Sequence, residues 1–178
     1  DEAMDGAQRI RRIVGSLRGF ARVDTQTMDA VDLNEEVERS LTLVWNDLKY
    51  KCKVTKELQN LPKVTGNASQ IDQVLVNILI NAGQAIGEKN GQIVIKTSAE
   101  HSRVRLEISD NGKGIAPEHI EHIFDPFFTT KEVGVGTGLG LYIAYGIMKH
   151  HNGLIDVKSK VGEGTKIILT FPEGGANA

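Results

Sequence analysis

The sequence predicts an α+β fold, a two-layer sandwich in which helices cover a β-sheet. Segments with helical and with strand periodicity are mixed along the 178 residues. The predicted strands come mostly as neighbouring pairs joined by short polar turns, which favours hairpins over a parallel, doubly wound sheet. Hydrophobic residues make up 40% of the chain, enough to form the core of such a sandwich.

The first half of the chain is predicted to form three helices and one strand. Their expected bounds are residues 4–23 for an amphipathic helix, 33–47 for a second helix, 51–57 for the strand and 67–86 for a third helix. Asp32 and Glu35 have the spacing of a capping box before the second helix. Either Asn67 or Ser69 caps the third. Residues 24–29 are polar and indicate a linker after the first helix.

The second half of the chain is predicted to form two hairpins. The expected strands are residues 93–98 and 103–108, then 154–160 and 166–171, with a helix over about 138–150 between the pairs. Residues 110–137 are punctuated by glycine and proline and carry no clear periodicity. An irregular segment of this length is uncommon in a compact domain and is usually functional, so we expect a lid over a site.

Composition and charge exclude several classes of protein. A net charge of -2 gives no overall attraction to nucleic acid or to an anionic membrane. The single cysteine, Cys52, cannot form an internal disulfide, which fits a reducing compartment. The longest apolar stretch, residues 74–80, is far too short for a membrane span. Because the chain begins at Asp1, we expect it to be part of a longer protein that can carry a membrane segment elsewhere.

Four amide side chains share one face of the third predicted helix: Gln73, Asn77, Asn81 and Gln84. Amides on an otherwise apolar helix are costly to bury unless they are hydrogen-bonded. Two interpretations stay open, one in which they hold a neighbouring strand or loop and one in which their oxygens face a cation and phosphates. Mg²⁺ prefers oxygen ligands and keeps several waters, so one amide oxygen beside phosphate oxygens would suffice.

The sequence Asp-Asn-Gly-Lys-Gly-Ile at residues 110–115 follows the end of a predicted strand. Asp-Asn-Gly is common in ordinary turns. A carboxylate at a strand end can also accept a hydrogen bond from an exocyclic amine, and the glycines allow a ligand to approach the backbone closely. Turn and binding site are equally good interpretations of this segment.

Residues 134–141 read Gly-Val-Gly-Thr-Gly-Leu-Gly-Leu and lead directly into an apolar helix. Exposed backbone N–H groups at a helix start bind anions such as phosphates. The spacing fits neither the dinucleotide-binding fingerprint nor the P-loop. A flexible hinge is the alternative. The later Gly-Glu-Gly-Thr at residues 162–165 is, by itself, more typical of a plain turn.

In this order, the segments resemble the N, G1, F and G2 boxes of sensor histidine kinases. The boxes are residues 73–82, 110–115, 124–128 and 136–141, and the resemblance covers residues 30–172. It implies the Bergerat ATP-binding fold, with a mixed sheet and helices on one face. It also implies two parts, the second helix of a dimerisation and phosphoacceptor hairpin with its linker in residues 1–28, and a catalytic ATP-binding domain in residues 29–178.

The resemblance further implies roles for individual residues. Asp110 would accept from the adenine amino group with Thr165 assisting through water, Asn81 would ligate Mg²⁺, and Lys131 would help to hold the triphosphate. Residues 116–137 would form the ATP lid, with Phe124, Phe127 and Phe128 packing its root. The residues implied to contact the nucleotide are Asn77, Asn81, Asp110, Gly112, Gly114, Ile115, Phe128, Thr130, Lys131, Gly136, Thr137, Gly138, Leu139, Gly140, Leu141 and Thr165.

Asn77 distinguishes between branches of this superfamily. ATP-hydrolysing members usually place a glutamate, as general base, one helical turn before the Mg-binding asparagine. An amide cannot take a proton at neutral pH, so the resemblance implies transfer of the γ-phosphoryl group to a histidine. The alternatives are a nucleotide-binding regulatory module without transfer activity and an ATP-hydrolysing member. Gln84 also departs from the pattern, since many members have a lysine near that point.

None of the five histidines fits the family's acceptor position, so we expect the acceptor histidine to lie outside this chain. The partners implied are the phosphoacceptor helix of the same kinase and the receiver domain of a response regulator. The full-length protein is expected to be a homodimer that does not bind nucleic acid. The catalytic domain is expected in the cytoplasm, with a parent protein that can be anchored in the inner membrane.

Overall fold

The computed structural model describes residues 27–87, 90–131 and 136–174. The strands are β1 (Asp29–Val31), β2 (Cys52–Glu57), β3 (Val64–Gly66), β4 (Gly91–Glu100), β5 (Arg103–Asp110), β6 (Leu154–Lys160) and β7 (Gly164–Pro172). The helices are α1 (Leu33–Leu48), α2 (Ala68–Ala85), α3 (Pro117–Ile120) and α4 (Gly140–His150). The amphipathic helix predicted over residues 4–23 lies outside the described residues.

Five strands form one mixed sheet in the order β2-β4-β5-β7-β6. The β2–β4 pair is parallel and the other three pairs are antiparallel, so the predicted mixed sheet is confirmed. β1 and β3 form a separate two-stranded sheet in which Asp29 pairs with Gly66. The predicted linker is therefore wrong at Asp29, which begins a strand. Strands of three residues are too short to show the alternation by which strands are predicted.

One face of the sheet packs against α1, α2 and α4 and forms a single core. In β4 the side chains of Ile93, Ile95 and Thr97 are buried, whereas Gln92 and Lys96 at alternate positions are exposed. This period of two shows that one side of β4 faces the helices and the other faces solvent. The fold is the predicted two-layer α+β sandwich. Among the described helices, none is both long and apolar enough to cross a membrane.

Side chains cap the first two helices at the predicted positions. Asp32 Oδ1 accepts hydrogen bonds from the backbone N–H of Asn34 at 2.9 Å and of Glu35 at 3.3 Å. Asn67, one of the two candidates for α2, accepts from the N–H of Gln70 at 3.0 Å. Such caps satisfy N–H groups that have no partner within the helix, which fixes where α1 and α2 begin.

A buried histidine links the end of α4 to the start of α2. Burial lowers the pKa of His151, so the imidazole is neutral, with Nδ1–H donating to the carbonyl of Ile147 at 2.8 Å. Its Nε2 then accepts from the backbone N–H of Asn67 at 3.0 Å. The two helices that border the functional site are thus joined at the end far from Gly140, where α4 begins.

Candidate functional site

A cavity of about 850 Å³ lies between α2, the segment after β5 and the start of α4. This volume is within the range of small-molecule and cofactor sites. Fourteen of the sixteen predicted site residues line it. They are Asn77, Asn81, Asp110, Gly114, Ile115, Phe128, Thr130, Lys131, Gly136, Thr137, Gly138, Gly140, Leu141 and Thr165. The fold therefore brings segments that are far apart in sequence to one place.

The carboxylate of Asp110 lies half-buried in the cavity at the end of β5. It accepts hydrogen bonds from the backbone N–H groups of Gly112, at 2.8 Å, and of Thr165. Burial raises its pKa, and these two bonds only partly oppose the rise. The side-chain oxygen of Asn111 instead accepts from the backbone N–H of Gln92 at 2.7 Å, so Asn111 stabilises the turn. The turn interpretation therefore holds for Asn111, whereas Asp110 presents its carboxylate to the cavity.

Ser159, which sequence reasoning missed, connects three parts of this end of the cavity. Its hydroxyl donates to the carbonyl of Gly164 and accepts from the backbone N–H of Ile115, both at 2.9 Å. Its oxygen also lies 2.9 Å from Thr165 Oγ1. No motif marks Ser159. Only the register of β6 against β7, in which it pairs with Thr165, would have identified it.

The asparagines of α2 have different partners. Asn77 Nδ2 donates to the carbonyl oxygen of Gly140 at 3.1 Å, so this amide holds the first turn of α4. Asn81 Oδ1 accepts from the ammonium of Lys131 at 3.1 Å, and Gln84 Oε1 accepts from the same ammonium. Asn77 therefore fits the interpretation in which an amide holds a neighbouring segment, whereas the oxygen of Asn81 accepts from a side chain of the same chain, Lys131.

Two predicted residues do not line the cavity, Gly112 and Leu139. Leu139 is 1% exposed and packs in the core as the residue before α4. At Gly112 an added Cβ would lie 2.6 Å from the carbonyl carbon and oxygen of Ala85, so glycine allows this turn to pack against the end of α2. Both residues thus support the site from behind in this structure, which a motif does not show, and their predicted contact with the nucleotide stays a prediction.

The aromatic segment before the glycines also differs from expectation. Phe124 stacks on Tyr145 at 5.3 Å between ring centroids, and Phe128 lies 5.6 Å from His119. Phe127 is 63% exposed, so its predicted packing at the root of the lid is wrong. Its backbone has φ +67°, a conformation that is uncommon for a residue other than glycine.

Gly138 lies directly against the backbone of Phe127. Its own φ is +66°, and an added Cβ would lie 2.3 Å from the carbonyl carbon of Phe127. Only glycine allows these two segments to approach so closely. The contact brings the start of α4 against the aromatic segment, and the described glycines Gly136, Gly138 and Gly140 line one wall of the cavity.

The charge of the cavity is opposite to that of the chain. Three ammonium groups face one carboxylate among the described lining residues, namely Lys51, Lys113, Lys131 and Asp110. Burial and the nearby Lys113 lower the pKa of Lys131. Lys51 and Lys113 were not predicted as site residues. An excess of positive charge in a chain of net charge -2 suits an anionic ligand.

Comparisons with known proteins agree with this geometry. The family model described as histidine kinase-, DNA gyrase B- and HSP90-like ATPase matches residues 66–175. The sensor histidine kinase ZraS of Escherichia coli O157:H7 is 37% identical over 168 residues, which are 93% of this chain and 36% of ZraS. The sensor kinase CckA of Brucella abortus is 36% identical over 93% of this chain and 19% of CckA. The chain thus spans about a third or less of these two relatives.

Solved structures are similar over a larger share of their length. The catalytic domain of histidine kinase ThkA is 33% identical with a TM-score of 0.74, covering 84% of this chain and 97% of that domain. ThkA in complex with the response regulator protein TrrA has a TM-score of 0.77 at 28% identity, covering 96% of this chain and 49% of ThkA. The chain belongs to the histidine kinase-, DNA gyrase B- and HSP90-like ATPase family and, within it, to the catalytic domains of histidine kinases.

Proposed function

We propose that the cavity binds Mg-ATP and that the domain passes the γ-phosphoryl group to a histidine elsewhere in its parent protein. The observation that carries this proposal is the division of one cavity into two chemically different ends. A half-buried carboxylate, Asp110, lies beside the turn that packs on Ala85, and the start of α4 lies where Gly140 meets Asn77. Lys131 bonds Asn81, on α2 between these two contacts. A nucleotide has the matching pair of ends, an exocyclic amine and a polyphosphate.

The two ends of the cavity would hold the two ends of ATP. Asp110 still has lone pairs free after bonding Gly112 and Thr165, so it can accept from the adenine amino group. Thr165 would assist through a water. The backbone N–H groups of residues 136–140 lie at the start of α4, where the helix dipole favours phosphate.

Asn81 has the chemistry that Mg²⁺ requires. It presents an amide oxygen to the cavity, and that oxygen already accepts from a cation, the ammonium of Lys131. Mg²⁺ takes oxygen ligands and is usually held by few protein groups plus substrate phosphates. Bound there, the metal would neutralise charge on the β- and γ-phosphates. Asn81 would be its protein ligand, with Asn77 nearby.

Transfer rather than hydrolysis follows from Asn77. Its nitrogen is engaged by the Gly140 carbonyl, and an amide cannot act as a general base for water. A neutral imidazole needs no such base. Its nitrogen would form a bond to the γ-phosphorus as the bond to the β–γ bridging oxygen breaks, and ADP would leave. The protein would contribute position and charge.

The partners and boundaries are part of the same proposal. We infer an acceptor histidine on a dimerisation hairpin, with residues 1–28 as its second helix and linker, and a catalytic domain over residues 29–178. The full-length protein would be a homodimer and would pass the phosphoryl group to a receiver domain, which the complex of ThkA with a response regulator supports. Because ATP is the substrate, the domain would work in the cytoplasm.

A transfer assay tests the proposal. The chain would be mixed with ATP labelled at the γ-phosphate and with a separate hairpin carrying the parent protein's acceptor histidine. We expect acid-labile label on the hairpin, none on a hairpin with that histidine replaced by glutamine, and none with Asn81→Ala. Phosphate release without the hairpin would instead indicate an ATPase. Nucleotide binding with neither result would indicate a regulatory module.

A further inference from the structure

Lys131 crosses from the segment after β5 to α2 and places its ammonium on two amide oxygens. Nζ lies 3.1 Å from Asn81 Oδ1 and also donates to Gln84 Oε1. Asn81 and Gln84 are three residues apart, so they are neighbours on the surface of the helix. An ammonium has three donors and no acceptor, which leaves one N–H of Lys131 free to meet a ligand.

We propose that the Lys131 ammonium and Mg²⁺ are alternative occupants of Asn81 Oδ1, and that Gln84 is the positioning residue that keeps the ammonium in the cavity when the metal takes its place. The inference rests on the proposed Mg-ATP site. It adds an exchange of cations at Asn81 and a task for Gln84, neither of which the sequence pattern indicated.

Charge is the reason that the two cations exclude one another. Both would contact one oxygen atom and would therefore lie only a few ångström apart, where like charges in a partly buried site repel strongly. Lys113 already adds to the positive charge that Lys131 experiences. Metal binding at Asn81 therefore requires the ammonium to move off this oxygen.

Gln84 offers the displaced ammonium a second hydrogen-bond acceptor. Its amide oxygen is uncharged, so it accepts from the ammonium and leaves the positive charge intact. A carboxylate at this position would neutralise that charge. The stem of Lys131 runs beside the glycine-rich wall, where a Cβ added to Gly136 would lie 3.2 Å from Lys131 Cδ. Held on Gln84, the ammonium remains next to the wall that we assign to phosphate.

Binding of ADP, measured by calorimetry with Mg²⁺ and with a chelator, tests the exchange. If the cations alternate at Asn81, Lys131 matters most when the metal is absent. We therefore expect Lys131→Met to weaken metal-free ADP binding at least about fivefold more than Mg-ADP binding, a normal size for coupling between two sites. Equal losses in the two conditions would show that lysine and metal act independently and would overturn the exchange.

A double-mutant cycle tests the task of Gln84. We expect Gln84→Leu to weaken Mg-ADP binding by about fivefold in the wild-type background and to have no effect when Lys131 is already methionine. Gln92→Leu is the matched control because Gln92 is exposed on β4 and does not line the cavity. The same loss from Gln84→Leu in both backgrounds would show that Gln84 acts without Lys131.

The wild-type measurements separate this inference from the proposed function. A wild-type chain that binds no nucleotide, with or without Mg²⁺, contradicts the Mg-ATP site itself. A wild-type chain that binds Mg-ADP, with equal losses in the lysine variant, contradicts only the exchange. Circular dichroism of each variant during urea unfolding shows whether it is folded under the binding conditions.

Discussion

The side-chain nitrogen of Asn77 donates a hydrogen bond of 3.1 Å to the carbonyl oxygen of Gly140. This bond joins the middle of α2 to the first residue of α4. The two helices supply different groups to the cavity, amides from α2 and backbone N–H groups from the start of α4. Their relative position therefore depends on the half-buried amide of Asn77.

Replacing Asn77 with aspartate tests how much this hydrogen bond contributes to stability and to nucleotide binding. The variant keeps the shape of the side chain but directs a carboxylate oxygen at the Gly140 carbonyl, so we expect a loss of about 1–3 kcal/mol in the free energy of unfolding. Mg-ATP affinity should fall as well. Urea unfolding and calorimetry measure the two effects. Gln73→Glu, one turn earlier on the same helix face, is the control, and a wild-type urea midpoint for Asn77→Asp would contradict the prediction.

Asp110→Asn should separate binding from stability. Burial raises the pKa of Asp110, so its stabilising contribution is complete when it is protonated and is lost as pH rises through its pKa in the folded state. At neutral pH the asparagine variant should therefore unfold at the same or a higher urea concentration than wild type. ATP affinity should fall by about 100-fold or more, because an amine would meet an amide in place of a carboxylate.

Calorimetry with ATP and GTP checks the adenine role of Asp110. Wild type should bind ATP far more tightly than GTP, and the asparagine variant should lose most of this preference. Equal affinities of the wild-type chain for the two nucleotides would exclude the role. A large loss of stability in the variant would show instead that the carboxylate supports the fold.

Gly138→Ala and Gly162→Ala form a matched pair. Both glycines have positive φ, +66° and +79°, so alanine is strained at either position. A Cβ at Gly138 would meet the Phe127 backbone at 2.3 Å, whereas one at Gly162 would meet nothing within 4 Å. We expect Gly138→Ala to cost about 1–3 kcal/mol more in urea unfolding and to weaken ATP binding. Equal costs would show that the close contact with Phe127 is unimportant.

A carboxyl pair between α1 and α2 should make stability depend on pH. Glu36 is 3% exposed and shares a hydrogen bond with the Asp72 carboxyl. Burial, then Asp72, raises the pKa of Glu36 to about 7, although Arg39 Nη1 lies 3.1 Å from its carboxyl. Since this pKa is above its value in the unfolded chain, the stability that Glu36 contributes at acid pH is lost as pH rises through about 7.

Glu36→Gln removes the group that titrates. We expect the variant to flatten the fall of unfolding free energy between pH 4.5 and about 7, which one proton can make as steep as about 1.4 kcal/mol per pH unit. Urea unfolding at a series of pH values gives the profile. Glu38→Gln, on the exposed side of α1, should keep the wild-type profile. Parallel profiles for wild type and Glu36→Gln would contradict the assignment.

The periodicity of apolar residues predicts those helices and strands that are long enough to show it. α1, α2, α4 and the five strands of the main sheet all lie near their predicted bounds, and the side chains of Asp32 and Asn67 mark two helix starts. β1 and β3 could not be predicted, because three residues show no period and their pairing joins residues 33 to 37 positions apart, from Val31 with Val64 to Asp29 with Gly66.

The sequence predicted those candidate site residues that belong to recognisable motifs. Asp110, Asn81 and the glycines before α4 are neighbours within recognisable segments, and the fold brings these segments together. Lys51 lines the cavity from the turn before β2, and Ser159 on β6 bonds the cavity residue Ile115, so only the tertiary structure reveals them. Gln84 departs from the family pattern, and no sequence signal indicates its partner, Lys131, which is 47 residues away.

The two hydrogen bonds between α2 and α4 also set the length of α4. Asn67 and Asn77 are ten residues apart, about 15 Å along a helix, and their partners His151 and Gly140 are eleven residues apart, about 16.5 Å. The two spans agree to within the rise of one residue, with the helices running in opposite directions. Inserting or deleting a residue within α4 would therefore break one of these two hydrogen bonds. The length of α4 has to match the spacing of Asn67 and Asn77 on α2 if the start of α4 is to stay at the cavity.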